Sequence, residues 1–517
     1  METGVFKDKS KLSRFELIFL IAAATVTITF VSTCSPLYPF NPWDDTNCFF
    51  TVGRGIIHGL VPYRDLYEQK GPLLYFLYAL AALVSEKSFI GAWIIECIAA
   101  SVYAVYSWKI VRLFVETTKY SISLMPLFLG VTYTVEMFNF GGNAEELCFP
   151  FLTIALYIGF RAIIINGLLP SNTEAVLCGV ITASLFWIKY TFVGFMLGFV
   201  LCILFLAIKH KQMKVLWSLV WRFTIGFLII SVPILIYFLA TNSLSYLWEG
   251  YFYNNIFLYH NDTVTEGLIG IPVVKNIYLP IVTTLITLFN NYSFAALFIL
   301  SFFSIFFLGK KQRLKTCILL IVTLALAEGF IFSRTSYIYY YGYILSYFFG
   351  MSLIPVIKLM NKLDNVSADH PERLKGLLAG LFAVAYVISI VLCKNLYLIF
   401  KPKSYLTQFR IAETINQTSD AKVLTYDVMD CGFYTSAGIL PCNRFFCFLN
   451  IEDSYTDILD EQNRLIQEGY FDYIITSYFY ESNWDNYELV QEEIGEYVTY
   501  DKTPILEGNK LYKRIST

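Results

Sequence analysis

Asp44, Asp45, Arg54, His58, Arg64, Asp65, Glu68 and Lys70 crowd a single stretch of the chain, the segment 34–88. A connecting loop usually runs about 2–8 residues, so a much longer one with clustered charge points to a task. A carboxylate within hydrogen-bond reach of a hydroxyl can take its proton, and lysine or arginine can stabilise negative charge that develops on a leaving group. Asp44 and Asp45 are the candidates for the first job. Lys70, Arg54, Lys189 and Arg334 are the candidates for the second. A second acidic group, Glu145 and Glu146, stands in GGNAEELCFPF at 141–151. Glu146 with Asp45 has the oxygen chemistry to bind a divalent cation, or the carboxylates simply share hydrogen bonds.

The elements that must hold these residues are membrane helices. The chain has 517 residues, 56% hydrophobic, 18% aromatic and only 15% charged, with a mean hydropathy of +0.57. A soluble chain carries roughly 25% charged residues, so the apolar excess must face lipid. The net charge of -2 offers no basic field for nucleic acid, which is dropped as a partner. Apolar runs of about 17–25 residues mark spans, and eleven are expected: 15–33, 89–108, 121–138, 147–165, 174–188, 192–208, 222–240, 292–309, 315–333, 337–357 and 376–398. Lys and Arg collect in cytoplasmic loops. With these eleven spans Lys7/Lys9/Lys11/Arg14, Lys109/Arg112/Lys119, Arg161, Lys209/Lys211/Lys214, Lys310/Lys311/Arg313/Lys315 and Lys358/Lys362/Arg373/Lys375 all fall inside. Counting 72–84 or 276–289 as spans would invert several clusters, so both are expected as helices in the outer interface.

The N-terminus is then cytoplasmic and the C-terminus outside the cell membrane. After Phe400 the composition turns polar, with strand-like segments at 421–428 and 471–478 and a helix-like stretch at 453–468. The expected division is a transmembrane domain over 1–400 and a small extracytoplasmic α/β domain over 401–517. Eleven scattered cysteines form no metal-ligand spacing and read as small apolar fillers, although Cys34, Cys48, Cys431, Cys442 and Cys447 face the side where disulfides form. Glu96, Glu136 and Glu328 fall within spans, where a charge needs an interior or aqueous path; an outward cavity would supply one. His58 and His260 read as ordinary hydrogen-bonding side chains.

The pattern D-x(7)-G-x(5)-G-x-x-P-Y-R-D-x-x-x-x-K-G-P, from Asp45 through Gly53, Gly59, Pro62, Tyr63, Arg64, Asp65, Lys70, Gly71 and Pro72, resembles the first outer loop of GT-C glycosyltransferases. The branch is the bacterial one related to protein O-mannosyltransferases and aminoarabinose transferases. GGNAEELCFPF resembles that branch's second acidic motif. The aromatic run Arg334–Tyr343 is a weaker match and lacks the histidine many relatives carry there. The resemblance covers most of 15–400; beyond it the match is in position and size only. It implies the GT-C fold and transfer of a sugar, with inversion, from a polyprenyl-phosphate donor to an acceptor hydroxyl or amine outside the membrane. It puts the catalytic aspartate at Asp45, gives the Glu145/Glu146 pair a positioning role, and sets a lysine in the outer hairpin that here holds Lys189.

A lysine at a span end commonly snorkels with no other task, yet Lys189 and Arg334 both lie outside against the positive-inside trend, which makes them candidate lipid-phosphate contacts. Asp65, Tyr63, Tyr340 and Tyr341 are the candidate substrate contacts, although belt anchoring accounts for many tyrosines at this level. The expected partners are the polyprenyl-phosphate-sugar donor, membrane lipids, and a cell-surface glycan, lipid or protein acceptor. The rival reading is a transporter or lipid flippase; no repeated halves or paired broken spans support it.

Overall fold

The computed structural model describes residues 11–135, 138–258, 285–286, 289, 291–331, 346–366, 371–451, 454–498 and 504–515. Arg334, Tyr340, Tyr341, Glu136 and His260 lie outside these, as does most of the 276–289 run.

Ser13 starts the first helix, α1 (Arg14–Val31), with a capping box: its hydroxyl accepts from Glu16 N, and Glu16 reaches back to the Ser13 backbone. The Glu16 carboxylate also receives the Arg112 guanidinium at 2.8 Å from α4 (Ile90–Phe114), so one residue caps a helix and pins it to its neighbour. Between them come α2 (Asp44–Ile57) and α3 (Pro72–Val84), which pack together. Pro72 suits the first turn of α3, where a backbone N–H would go unpaired. The 72–84 run is therefore a helix, with Leu74, Tyr75 and Tyr78 buried and Leu80, Leu83 and Val84 exposed.

There follow α5 (Leu124–Tyr133), α6 (Ala144–Gly159), α7 (Asn172–Lys189), α8 (Val193–Lys209) and α9 (Met213–Ala240). Lys189 takes an extended conformation, φ -155° and ψ 96°, which ends α7 before α8 begins. Along α9, Trp217, Trp221, Ile229, Ile236 and Leu239 stand exposed. Such apolar surface on a long helix is what lipid covers.

Among the described residues, six helical stretches are long and apolar enough to cross a membrane: Arg14–Val31, Ile90–Phe114, Ala144–Asn166, Asn172–Lys209, Met213–Ala240 and Arg373–Val391. Two expected spans, 174–188 and 192–208, share Asn172–Lys209. The runs at 121–138 and 292–309 correspond to the shorter apolar helices Ser121–Tyr133 and Tyr292–Phe307. The expected 315–333 falls largely on the helix Lys310–Ile331, and 337–357 lies partly outside the described residues. Among the described residues, then, helix length and composition admit six such stretches, one of them holding two of the eleven expected spans.

The C-terminal part forms a four-stranded sheet in the order β1-β2-β4-β3. Strands β1 (Val423–Thr425) and β2 (Tyr473–Ser477) are parallel; β3 (Tyr487–Val498) and β4 (Pro504–Arg514) pair antiparallel, and β4 completes the join to β2. β1 and β2 fall inside the two strand-like segments read from the sequence, and the helix Asp457–Gln467 inside the helix-like one. Leu424, Ile466, Phe471, Ile474, Tyr487 and Tyr512 make a local core. A second, larger core runs unbroken from α1 through Phe433, Tyr434 and Phe446, so this part is packed onto the helices. None of the eleven cysteines is disulfide-bonded, and the Cys48 sulfur lies 3.9 Å from that of Cys447.

Candidate active site

The first turn of α2 carries both aspartates. Its start is held by Asn41, whose side chain accepts from Trp43 N at 2.8 Å, and by Asn47, which donates to the carbonyls of Asn41 and Trp43. The same turn is stitched to the second motif: Asn41 Nδ2 and Thr46 Oγ1 both donate to the Gly141 carbonyl, at 3.2 and 3.0 Å. Gly141 and Gly142 have φ of +89° and +81°, a region that glycine enters freely. That bend turns the Gly142 N–H onto the carboxylates of Glu96 and Glu146, at 2.6 and 3.2 Å, and delivers Glu145 and Glu146 in the first turn of α6. The two acidic motifs, a hundred residues apart in sequence, are neighbours.

Lys70 arrives on the ribbon that leads into α3. Its Nζ lies 3.7 Å from Asp45 Oδ1 and 3.9 Å from Glu68 Oε1, over the Phe49 ring. Glu68 is buried; it accepts from Lys70 N at 2.9 Å and from the Tyr75 hydroxyl. Gly71 then runs against the end of α7, donating its N–H to the Ile188 carbonyl at 3.0 Å. A Cβ at Gly71 would lie 2.0 Å from the Trp187 carbonyl oxygen, so only glycine allows this approach. The contact brings Lys189 beside Lys70. Lys189 forms a buried ion pair with Glu145, where the extended Lys189 backbone has broken the helix. Asp45, Glu68, Glu145, Lys70 and Lys189 therefore form one cluster of alternating charge.

Asp44 and Asp45 compete within it. Burial and the neighbouring Asp45 push the Asp44 carboxyl up to about 7. Burial also raises Asp45; Lys70 and Lys189 pull the other way, while Glu68 and Glu145 add to the rise.

The remaining candidates go elsewhere. Arg54 is buried and points to the C-terminal part, donating to Thr435 Oγ1 at 3.4 Å near Asp430, which accepts from Thr51 at 2.5 Å. Tyr63 is fully buried with φ +66°, and its hydroxyl donates to the Lys70 carbonyl at 2.6 Å. Asp65 is held by Arg64 at 2.8 Å and accepts from Val61 N. These three shape the ribbon and its supports and do not line the charged cluster. Glu146 turns away from Asp45 and hydrogen-bonds with Glu96, which also accepts from Ser32 Oγ. The void beside Glu96 measures about 10 Å³, and the Ser32 hydroxyl and the Gly142 N–H donate to its carboxylate. His58 is exposed and pairs with Glu86 at 2.7 Å.

Glu68 was present in the sequence motif, two residues before Lys70, without a role assigned to it. Asp430 and Arg444 carried no signal at all, because their partners come from the other end of the chain. The Glu146–Asp45 pair expected for a cation is not brought together: Glu146 hydrogen-bonds with Glu96, Glu145 pairs with Lys189, and among the described residues no group of three His, Cys, Asp or Glu is placed to hold an ion.

No protein-family model and no curated protein matches the chain. Solved structures do. The crystal structure of ArnT from Cupriavidus metallidurans bound to undecaprenyl phosphate superposes with a TM-score of 0.56 at 12% identity, covering 96% of this chain and 98% of that one. The fold is that of ArnT. The ArnT structure in the apo state agrees, with a TM-score of 0.57, 11% identity, and 96% and 97% of the two chains covered. The expected fold class is met at that level: helices long and apolar enough to cross a membrane, with a small C-terminal sheet. At this identity the likeness to ArnT establishes fold alone.

Proposed function

We propose that this protein is an integral membrane glycosyltransferase that moves a sugar from a polyprenyl-phosphate donor to an acceptor on the extracytoplasmic face. The observation that carries the reading is the Asp45–Lys70 pair beside Lys189–Glu145, set in the fold of an enzyme crystallised with undecaprenyl phosphate. A base beside two cations is what such a reaction needs. Asp45, ionised, takes the proton of the acceptor hydroxyl. The acceptor oxygen attacks the anomeric carbon from the face opposite the phosphate, and the bond to phosphate oxygen breaks with its electron pair leaving on the phosphate. Lys70 and Lys189 stabilise that charge where it develops, and back-side attack inverts the anomeric centre. Asp44, enclosed beside Asp45, takes over as base if its neighbour is not the one that faces the acceptor.

Transfer by purified protein in nanodiscs, from a polyprenyl-phosphate sugar to envelope acceptors, tests the assignment. Asp45→Asn is expected to lower the rate by about 10²–10⁴-fold while undecaprenyl phosphate still binds; full activity in that variant removes Asp45 as the base. The same reading places the N-terminus in the cytoplasm and residues 401–517 outside, as a domain above the catalytic helices of 1–400. Impermeant thiol labelling of His58→Cys and Asn139→Cys, each in a background without the native cysteines, is expected from outside only, since both positions reach the surface, and cytosolic labelling of either site ends the proposal.

A further inference from the structure

The C-terminal part touches the ribbon that carries Lys70 through one side chain above all. Arg444 donates its Nε to the Tyr63 carbonyl at 2.8 Å, while its own carbonyl accepts from Tyr67 N at 2.9 Å. Its guanidinium reaches Glu249 at 3.0 Å, and Tyr455 donates to the same Glu249 carboxylate. The plane of the guanidinium sits among the rings of Phe445, Tyr246 and Tyr67, at 4.8, 5.1 and 5.5 Å. An arginine that is stacked and forked at once has its rotamers fixed, and lysine cannot reproduce that geometry.

What Arg444 holds is strained and leads straight to the charged cluster. Tyr63 is a non-glycine residue with φ +66°, a conformation that persists only where surrounding contacts enforce it. From Tyr63 the hydroxyl donates to the Lys70 carbonyl at 2.6 Å. The far side of the ribbon is fixed by the segment Trp248–Leu258: Asn254 donates to the Tyr67 hydroxyl and Asn255 to the Gln69 carbonyl, each at 2.7 Å. Arg444 joins the two sides, since it binds the ribbon backbone and Glu249 of that segment together.

We propose that Arg444 is a positioning residue: the C-terminal part uses it to clamp the Tyr63–Lys70 ribbon so that Lys70 stays over Asp45, ready for the phosphate of the donor lipid. The proposal rests on the transferase reading for what Lys70 does, but the clamp itself is tested without it. Hydrogen exchange on the full-length protein in nanodiscs is expected to show lost protection of the 63–70 amides in Arg444→Ala, with α1 and α4 unchanged. In the transfer assay the donor KM is expected to rise by about 10- to 100-fold, as an ångström-scale misplacement of a reacting-centre contact would give, with the acceptor KM unchanged. Arg444→Lys keeps a cation for Glu249 but lacks the planar fork and the stacking on Phe445, Tyr246 and Tyr67; it is expected to recover thermal stability but not the donor KM. Unchanged exchange at 63–70 in both variants, or a donor KM restored by lysine, overturns the clamp. A wild-type protein that transfers no sugar sinks the transferase reading instead, and the exchange measurement then decides the clamp by itself.

Discussion

Gly71→Ala is the smallest perturbation that should dismantle the charged cluster. The new methyl group would sit 2.0 Å from the Trp187 carbonyl oxygen, 2.5 Å from its carbon and 2.8 Å from the Ile188 oxygen. These are backbone atoms at the end of a helix, so no side-chain rotation relieves the clash. Carbon needs about 3.5 Å, and the ribbon must therefore retreat by more than about 1 Å. The retreat stretches the Gly71 N–H bond to Ile188, whose loss costs about 1 kcal/mol. Forcing a methylene into a packed contact costs about 1–3 kcal/mol more, which puts the total near 2–4 kcal/mol. Lys70 moves with the ribbon while Lys189 stays on α7, so the two cations separate. A displacement of that size costs roughly 10²-fold in rate. Unfolding in mixed micelles gives the stability and nanodisc transfer gives the rate. Gly380→Ala is the control: nothing lies within 4 Å of the added carbon, and in the helix Pro371–Val391 alanine should be neutral or stabilise by up to about 1 kcal/mol. If Gly71→Ala unfolds and turns over like the control, the docking of the ribbon on α7 is not what assembles the site.

The Asp44 carboxyl, pushed up to about 7, and the raised Asp45 set opposite pH trends. Asp44 is neutral in the fold at a pH where the unfolded chain has ionised it, so its contribution to stability is full below about pH 4 and is lost as pH rises through about 7. Transfer needs Asp45 ionised, and burial raises that carboxyl, so the rate should climb with pH. Asp44→Asn should flatten the stability trend, and a wild-type unfolding midpoint that is level from pH 4 to 8 would contradict the shift. Lys189→Met strands the buried Glu145 carboxylate and should cost about 3–5 kcal/mol. Adding Glu145→Gln should return at least half of that, whereas additive losses in a double-mutant cycle would show that the pair does not interact.

The sequence by itself determined the membrane character, because apolar runs and loop charges are local quantities that need no partner. It also determined the two acidic motifs: the K-G-P run at 70–72 and the Gly141/Gly142 bend are backbone requirements written in residue type. The strand-like segments after Phe400 were legible for the same reason, through short-range alternation. Tertiary structure alone decided which charges meet. Arg54 and Lys70 looked equivalent in the loop, but α2 turns Arg54 toward Asp430 while the ribbon folds Lys70 back over Asp45. Glu145 and Glu146 are adjacent in sequence and face different partners, since successive residues on a helix point about 100° apart. Arg444, nearly four hundred residues beyond Tyr63, has no local pattern to betray it; its role exists only where the C-terminal part packs on the first loop.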